Sequence, residues 1–369
     1  MFVIQDGPRW LQFDEPVRVV RVRETGEVLA ALREVETAVF TQNLYAAGFL
    51  SYEAAAAFDL AVHSSSDDAP PLLWFGLYER PLQFHQPQRS GDYHLGEWRP
   101  GVNWAAYEAA IAAIKRQIAA GNTYQVNYTF PMQTSFRGNA QALFTDLTMA
   151  QAGRYGAYVD TGRHVVCSAS PELFFRLDGD VLTSKPMKGT AVRGLTALED
   201  DENAAWLQQS EKNRAENVMI VDMIRNDMGR VAQTGSVQVP SLFDVERYPT
   251  VLQMTSTVTA RTQASLTEIF QAMYPCASIT GAPKVRTMEI IRELESGPRG
   301  VYTGAIGYIA PNRQAQFNVA IRTVTVDREL ETAVYGVGSG VVWDSEAEAE
   351  YQECLLKAKV LHGAKARIS

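Results

Sequence analysis

The chain is poor in cysteine, in net positive charge and in long apolar runs, and each shortage closes off a class of function. Its three cysteines, Cys167, Cys276 and Cys354, are odd in number and lack metal-ligand spacing. Reduced thiols in a cytosolic protein are the simplest reading of them. Lysine and arginine total 34 against 42 acidic residues, a formal net charge of −8. A general nucleic-acid binder would show a basic stripe, whereas an anionic small substrate needs only a few buried cations. No apolar stretch nears the ~20 residues of a membrane span. Met1–Pro8 has no basic segment leading into an apolar one, so no signal peptide is expected. Short-period repeats and low-complexity tracts are missing too.

What is present is an ordinary globular composition, 46% hydrophobic and 21% charged, in a chain long enough for one large domain or two. Residues 1–100 read as short strands and helices, an N-terminal subdomain whose aromatic stretch Trp74–Tyr78 suits a buried strand. A second unit, 101–369, starts near Asn103, and the two read as fused. Trp104, Tyr107, Ile111, Ile114 and Ile118 recur at helical spacing up to Gly121. Thr123–Phe130 reads as a strand. One long helix is expected over Asp201–Met228. Ser265 to Glu268 forms a capping box, and Ser345 to Glu348 a possible second one before the last helix. Pro283 suits a helix start, with Val285, Met288, Ile291 and Leu294 on one side. Strands are expected at 301–310, 315–326 and 331–342, turning at Pro311–Arg313 and Asp327–Glu329. Strands in runs, separated by helices, indicate an α+β fold with antiparallel sheets.

Several polar residues stand in apolar company. Lys188 is held between Pro186 and Gly189 at a strand end; desolvation there would lower its pKa and make the amine a nucleophile. A solvated surface lysine is the competing reading. Glu216 and Asp227 lie three turns apart on one helix, and Glu353 and Lys357 one turn apart on another. Each pair reads equally as a salt-bridged surface, but carboxylates from two helices meeting at one point could hold Mg²⁺. Arg322, inside Phe317–Val324, would sit on one face of a strand with its fork free for a carboxylate. Gly336–Gly340 could present amides to an anion, or could mark a bend. Ser278–Lys284 could do likewise at a helix N-terminus, though it lacks Walker A spacing.

Taken in order, these segments resemble the chorismate-utilising enzymes. The resemblance rests on Tyr124-Gln125-Val126-Asn127, Ser170-Pro171-Glu172, Lys188-Gly189-Thr190, Glu216-Asn217 through Arg225-Asn226-Asp227, and Ser278 to Lys284. It continues through Tyr302–Tyr308, Ile321-Arg322-Thr323, Gly338-Ser339-Gly340 and Tyr351-Gln352-Glu353, so it spans roughly residues 100–362. It implies a four-layer α/β/β/α fold with orthogonally packed antiparallel sheets. Lys188, where the anthranilate branch typically carries alanine, points to the branch that aminates chorismate at C4 on the way to p-aminobenzoate and folate. By resemblance, Lys188 is the nucleophile that adds at ring carbon 2, and Glu172 the general acid. Gly189, Thr190, Thr280, Tyr302, Arg322, Gly338, Ser339, Gly340 and Lys357 form the substrate-binding set. Glu216 and Glu353 are the Mg²⁺ ligands. Ammonia would come from a separate glutamine amidotransferase subunit, because all three cysteines lie inside the chorismate-binding part. Neither nucleic acid nor membrane is an expected partner, and the cytoplasm is the expected compartment. Gln253 stands where many relatives have a histidine that the anthranilate branch links to pyruvate elimination, consistent with a product that keeps its enolpyruvyl arm. The N-terminal region is shorter than in relatives that form a tryptophan pocket there. The alternatives are anthranilate or isochorismate formation, or a non-catalytic chorismate-binding regulator.

Overall fold

In the computed structural model, which describes residues 1–248, 251–358 and 361, the strands assemble into two antiparallel sheets of eleven and ten members. The end of the expected 101–369 unit lies outside the described residues. Strands from the first hundred residues enter both sheets: Phe2–Asp6 and Arg9–Phe13 join the first, Arg18–Val22, Tyr45–Leu50 and Leu73–Tyr78 the second. Strand alternation supplies the reason the sheets stack. Phe2, Ile4, Leu11 and Phe13 from one sheet meet Phe49, Trp74, Ile306 and Tyr308 from the other in an apolar interlayer. The outer face of the first sheet is covered by helices Trp104–Ala119, Ala140–Gln151 and Ala347–Ala358. Helices Val28–Gln42, Glu211–Gly229 and Leu266–Met273 cover the second. The result is α/β/β/α.

Local signals explain most boundaries. Asn103 caps its helix by accepting from the Ala106 amide at 2.9 Å. Ser265 and Glu268 form both halves of their box. The turn at 311–313 joins Ala305–Ala310 to Gln314–Val319 as expected.

Five expectations need correction. The single helix over 201–228 is two, Ala197–Gln209 and Glu211–Gly229, because Ser210 takes an extended conformation and caps the second. The Ser345–Glu348 box does not form: the helix starts at Ala347, and the Ser345 hydroxyl donates to Glu350 and accepts from the Val342 amide. Val285 is 57% exposed, whereas Met288 and Ile291 are buried. Gly336–Gly340 is neither nest nor bend but part of strand Thr332–Val341, which pairs residue for residue with Val126–Ser135 of strand Gln125–Gly138. The strand expected over 315–326 is two strands in different sheets, broken at Ala320–Arg322. Its alternation continues through the break, which is why it reads as one.

Candidate active site

The site lies where the chain crosses between sheets. Ala169–Glu172 links strand His164–Ser168 in the first sheet to Leu173–Asp178 in the second. Ala320–Arg322 makes a neighbouring crossing. Hydrogen bonds stitch the two together: the Ala169 amide donates to Arg322 O at 3.0 Å, and the Val319 amide to Glu172 O at 3.1 Å. The Ser170 hydroxyl donates to Val319 O at 2.6 Å. Arg322 therefore sits at a corner, with a left-handed φ of 53°, rather than on a strand face. Glu172 and Arg322 are set by the same stitching.

Lys188 is presented by a bulge. Strand Met187–Val192 pairs with Val251–Arg261, Met187 opposite Thr255 and Thr190 opposite Gln253. Two residues, Lys188 and Gly189, thus face one, Met254. Gly189 has a φ of +94°, and a Cβ there would come within 3.1 Å of Asn213. Glycine is what the bulge requires. Across the site, a Cβ on Gly340 would lie 3.3 Å from Lys188 Nζ and 2.3 Å from Gln125 Nε2. The absent side chain at 340 makes room for both groups. Gly336 serves Tyr302 in the same way, since a Cβ there would meet its ring at 2.1 Å.

Charges converge on the lysine. Burial lowers its pKa; Glu216 opposes this, Lys357 adds to it, and Glu172 and Glu353 oppose it again. Glu172, only 3% exposed, is pushed up to about 7 by burial, although the Ser278 hydroxyl, Lys188 and the Met187 amide hold it back. Burial drives the acid and the amine alike toward their neutral forms. Glu172 Oε1, Gln125 Oε1 and Arg322 Nε are buried without a hydrogen-bond partner. Three such groups from three segments are what a polar ligand would complete.

Helix Glu211–Gly229 brings Glu216 toward the carboxylates of helix Ala347–Ala358. Burial raises the Glu216 pKa, Lys188 and Lys212 lower it, and Glu350 and Glu353 raise it further. For Glu353 burial is outweighed by Lys357, 2.6 Å away, and by Lys188, so its pKa is lowered. These carboxylates are hard, anionic oxygen donors of the kind Mg²⁺ prefers. Among the described residues no group of three or more His, Cys, Asp or Glu has the tight geometry of a preformed metal site. Lys357 also donates to Gly338 O at 2.8 Å.

Other expected residues have structural partners. Asp227 pairs with Lys284 at 2.7 Å, away from Glu216. The Thr280 hydroxyl, fully buried, donates within its own turn toward Cys276 and Ala277 carbonyls. The Thr190 hydroxyl donates to Gln253. Ser339, by contrast, is buried beside Tyr107 and Cys354 with its hydroxyl unpaired among the described residues.

The sequence reading missed the hub beneath the site. Arg299 and Glu295 form a buried ion pair at 2.7 Å, and the guanidinium also donates to Asn127 O and Ile279 O at 2.7 and 2.9 Å. Glu295 accepts the Thr129 amide and hydroxyl. One arginine thus ties the Gln125–Gly138 strand to the turn before Thr280 and to the segment bearing Tyr302. The i, i+4 spacing of Glu295 and Arg299 was the available signal.

Comparison with known proteins agrees with this geometry. Residues 5–363 match the family of chorismate binding enzymes. The chain is 39% identical to aminodeoxychorismate synthase component 1 of Salmonella typhimurium over 280 residues, 75% of this chain and 61% of that protein. It is 42% identical over 256 residues to aminodeoxychorismate synthase of Streptomyces pristinaespiralis, 69% of this chain but 35% of the relative. The chain thus spans less than two thirds of these relatives' length. The crystal structure of anthranilate synthase component I from Streptococcus pneumoniae superposes with a TM-score of 0.82 at 24% identity, over 97% of this chain and 91% of that one. That likeness establishes the fold. With crossings, bulge and charge cluster in place, and a match running over nearly its whole length, the chain belongs to the chorismate binding enzymes.

Proposed function

We propose that this chain aminates chorismate at C4 to give 4-amino-4-deoxychorismate, as component I of an aminodeoxychorismate synthase serving p-aminobenzoate and folate synthesis. The observation that carries the reading is the Glu172–Lys188 pair. Burial raises the acid to about 7 and lowers the amine, so both groups are drawn toward the forms the reaction needs, a protonated acid and an unprotonated nucleophile. The names of the relatives at 39–42% identity support the same product.

Lys188 Nζ adds at ring C2, both conjugated ring double bonds shift by one position, and the C4–O bond breaks. Glu172 gives its proton to the departing hydroxyl, which leaves as water. Ammonia then adds at C4, both double bonds return to their first positions, and the C2–N bond breaks. The lysine amine leaves neutral, and the proton lost by ammonia restores Glu172. Arg322 and Lys357 bind the substrate's carboxylates, with Tyr302, Gly338, Ser339, Gly340, Gly189, Thr190 and Thr280 lining the cradle. Glu216 and Glu353 would hold Mg²⁺, which when bound supplies positive charge against the ring carboxylate. Ammonia comes from a glutamine amidotransferase subunit, and the cytoplasm is the compartment.

The test is the purified chain with chorismate, Mg²⁺ and ammonium salt, its product identified by mass and ultraviolet spectrum. The expected product is 4-amino-4-deoxychorismate, formed with ammonium but not with glutamine, and faster at higher pH where more ammonia is free. Anthranilate with pyruvate, isochorismate, or no conversion would overturn the proposal, and turnover with glutamine would remove the need for a partner.

A further inference from the structure

We propose that Gln253 is a positioning residue that locks the bulge carrying Lys188, an inference that rests on the amination reading above. A β-bulge takes residues out of the regular ladder, and their polar groups must find other partners. Here the two bulged residues are Lys188 and Gly189, and strand Val251–Arg261 supplies the replacements from its side chains. Gln253 Nε2 donates to Gly189 O at 2.8 Å, while its Oε1 accepts from the Thr190 hydroxyl at 3.1 Å. One amide thus grips the residues one and two beyond the nucleophile. On the other side, Asn217 Nδ2 reaches Lys188 O at 3.5 Å, and Asn217 Oδ1 accepts from the Ser256 hydroxyl at 2.6 Å. That second contact is long, so the short Gln253 bond is the firmer of the two.

The chemistry at 253 calls for a group that donates and accepts at once without changing charge. A neutral amide does so across the whole working pH range; an ionised carboxylate of the same shape can only accept, and would set its oxygens against Gly189 O. The register gives the residue its leverage. Gln253 lies directly opposite Thr190, and its side chain bridges back over the bulge instead of pointing to solvent. Gly189, at a φ of +94°, has wide conformational freedom and no side chain to pack, so the bulge does not hold itself. Released, Lys188 could swing from its place beside Gly340 and Glu172. Displacements on this scale cost about a hundredfold in rate when they misalign a reacting atom. The carboxylate anchors Arg322 and Lys357 lie on other elements, so the clamp bears on kcat more than on chorismate affinity.

The experiment compares the full chain with Gln253→Glu, which keeps shape but loses the donor, and Gln253→Met, which keeps length but loses both polar ends. Steady-state rates with chorismate, Mg²⁺ and ammonium are measured beside hydrogen exchange of the 187–192 peptide by mass spectrometry. The expected result is a kcat reduced about tenfold or more with the chorismate KM within about twofold, and faster exchange confined to 187–192 at unchanged Tm. An increase in KM at constant kcat would overturn the inference, as would wild-type exchange in both variants. If the unaltered chain fails to aminate chorismate yet both variants loosen 187–192, the amination reading falls and the clamp stands.

Discussion

Replacing Glu172 by glutamine tests the electrostatic account of the site more sharply than any other change. The carboxyl is 3% exposed, and its pKa is raised from 4.5 to about 7, chiefly by burial. A raised carboxyl pKa means that folding favours the protonated form. Its contribution is fully present below the unfolded value and is lost as pH rises through 7, where the ionised group becomes a cost. The rise from 4.5 to about 7 corresponds to about 3 kcal/mol before the surroundings relax, and to less once they do. Glutamine occupies the same volume and never ionises. Glu172→Gln should therefore match the unaltered chain near pH 4.5 and become more stable with rising pH, levelling off above pH 8. In urea titrations the midpoint difference should grow steadily across that window. Activity should fall by about 10²–10³ because the leaving hydroxyl loses its proton donor. A midpoint difference independent of pH would refute the burial argument, and full activity at any pH would remove Glu172 from the chemistry.

The other substitutions address separate parts of the site. Lys188→Ala should lose 4-amination almost completely while binding chorismate, and an ammonia-starved mixture of the unaltered chain should yield a lysine adduct that has lost water; a wild-type rate in the variant would exclude covalent catalysis by Lys188. Glu216→Gln and Glu353→Gln should each raise the Mg²⁺ concentration needed for half-maximal rate by at least about tenfold, since each removes an anionic oxygen donor; an unchanged metal requirement in either would take that residue out of the metal site. Gly340→Ala should fold normally yet lose about tenfold or more in kcat, because the new methyl would crowd Gln125 Nε2 at 2.3 Å and Lys188 Nζ at 3.3 Å; unaltered kinetics would mean the lysine lies elsewhere during turnover.

Helices, strands and the ordered set of polar segments were legible from the chain alone because they are written in local chemistry. Asn103 and Ser265 cap as their sequence neighbours predict, Leu73–Tyr78 is buried throughout, and Pro311–Arg313 turns. Lys188 between proline and glycine, with charged residues in apolar helices, marked segments that carry the family resemblance, and it was that resemblance that implied the chemistry. Local pattern failed where the decisive event was a change of sheet. Phe317–Val324 keeps strand-like alternation across a break that only the packing of two sheets imposes, and Arg322 owes its direction to that corner. Gly336–Gly340 looked like a turn because glycine serves equally to bend a chain and to admit a neighbour. Only the partners across the site, Tyr302, Thr129, Gln125 and Lys188, reveal that these glycines are there for space. Desolvation is likewise invisible in a linear chain: the burial that favours the neutral forms of Glu172 and Lys188 arises from elements up to about half the chain apart, and tertiary packing alone decides it.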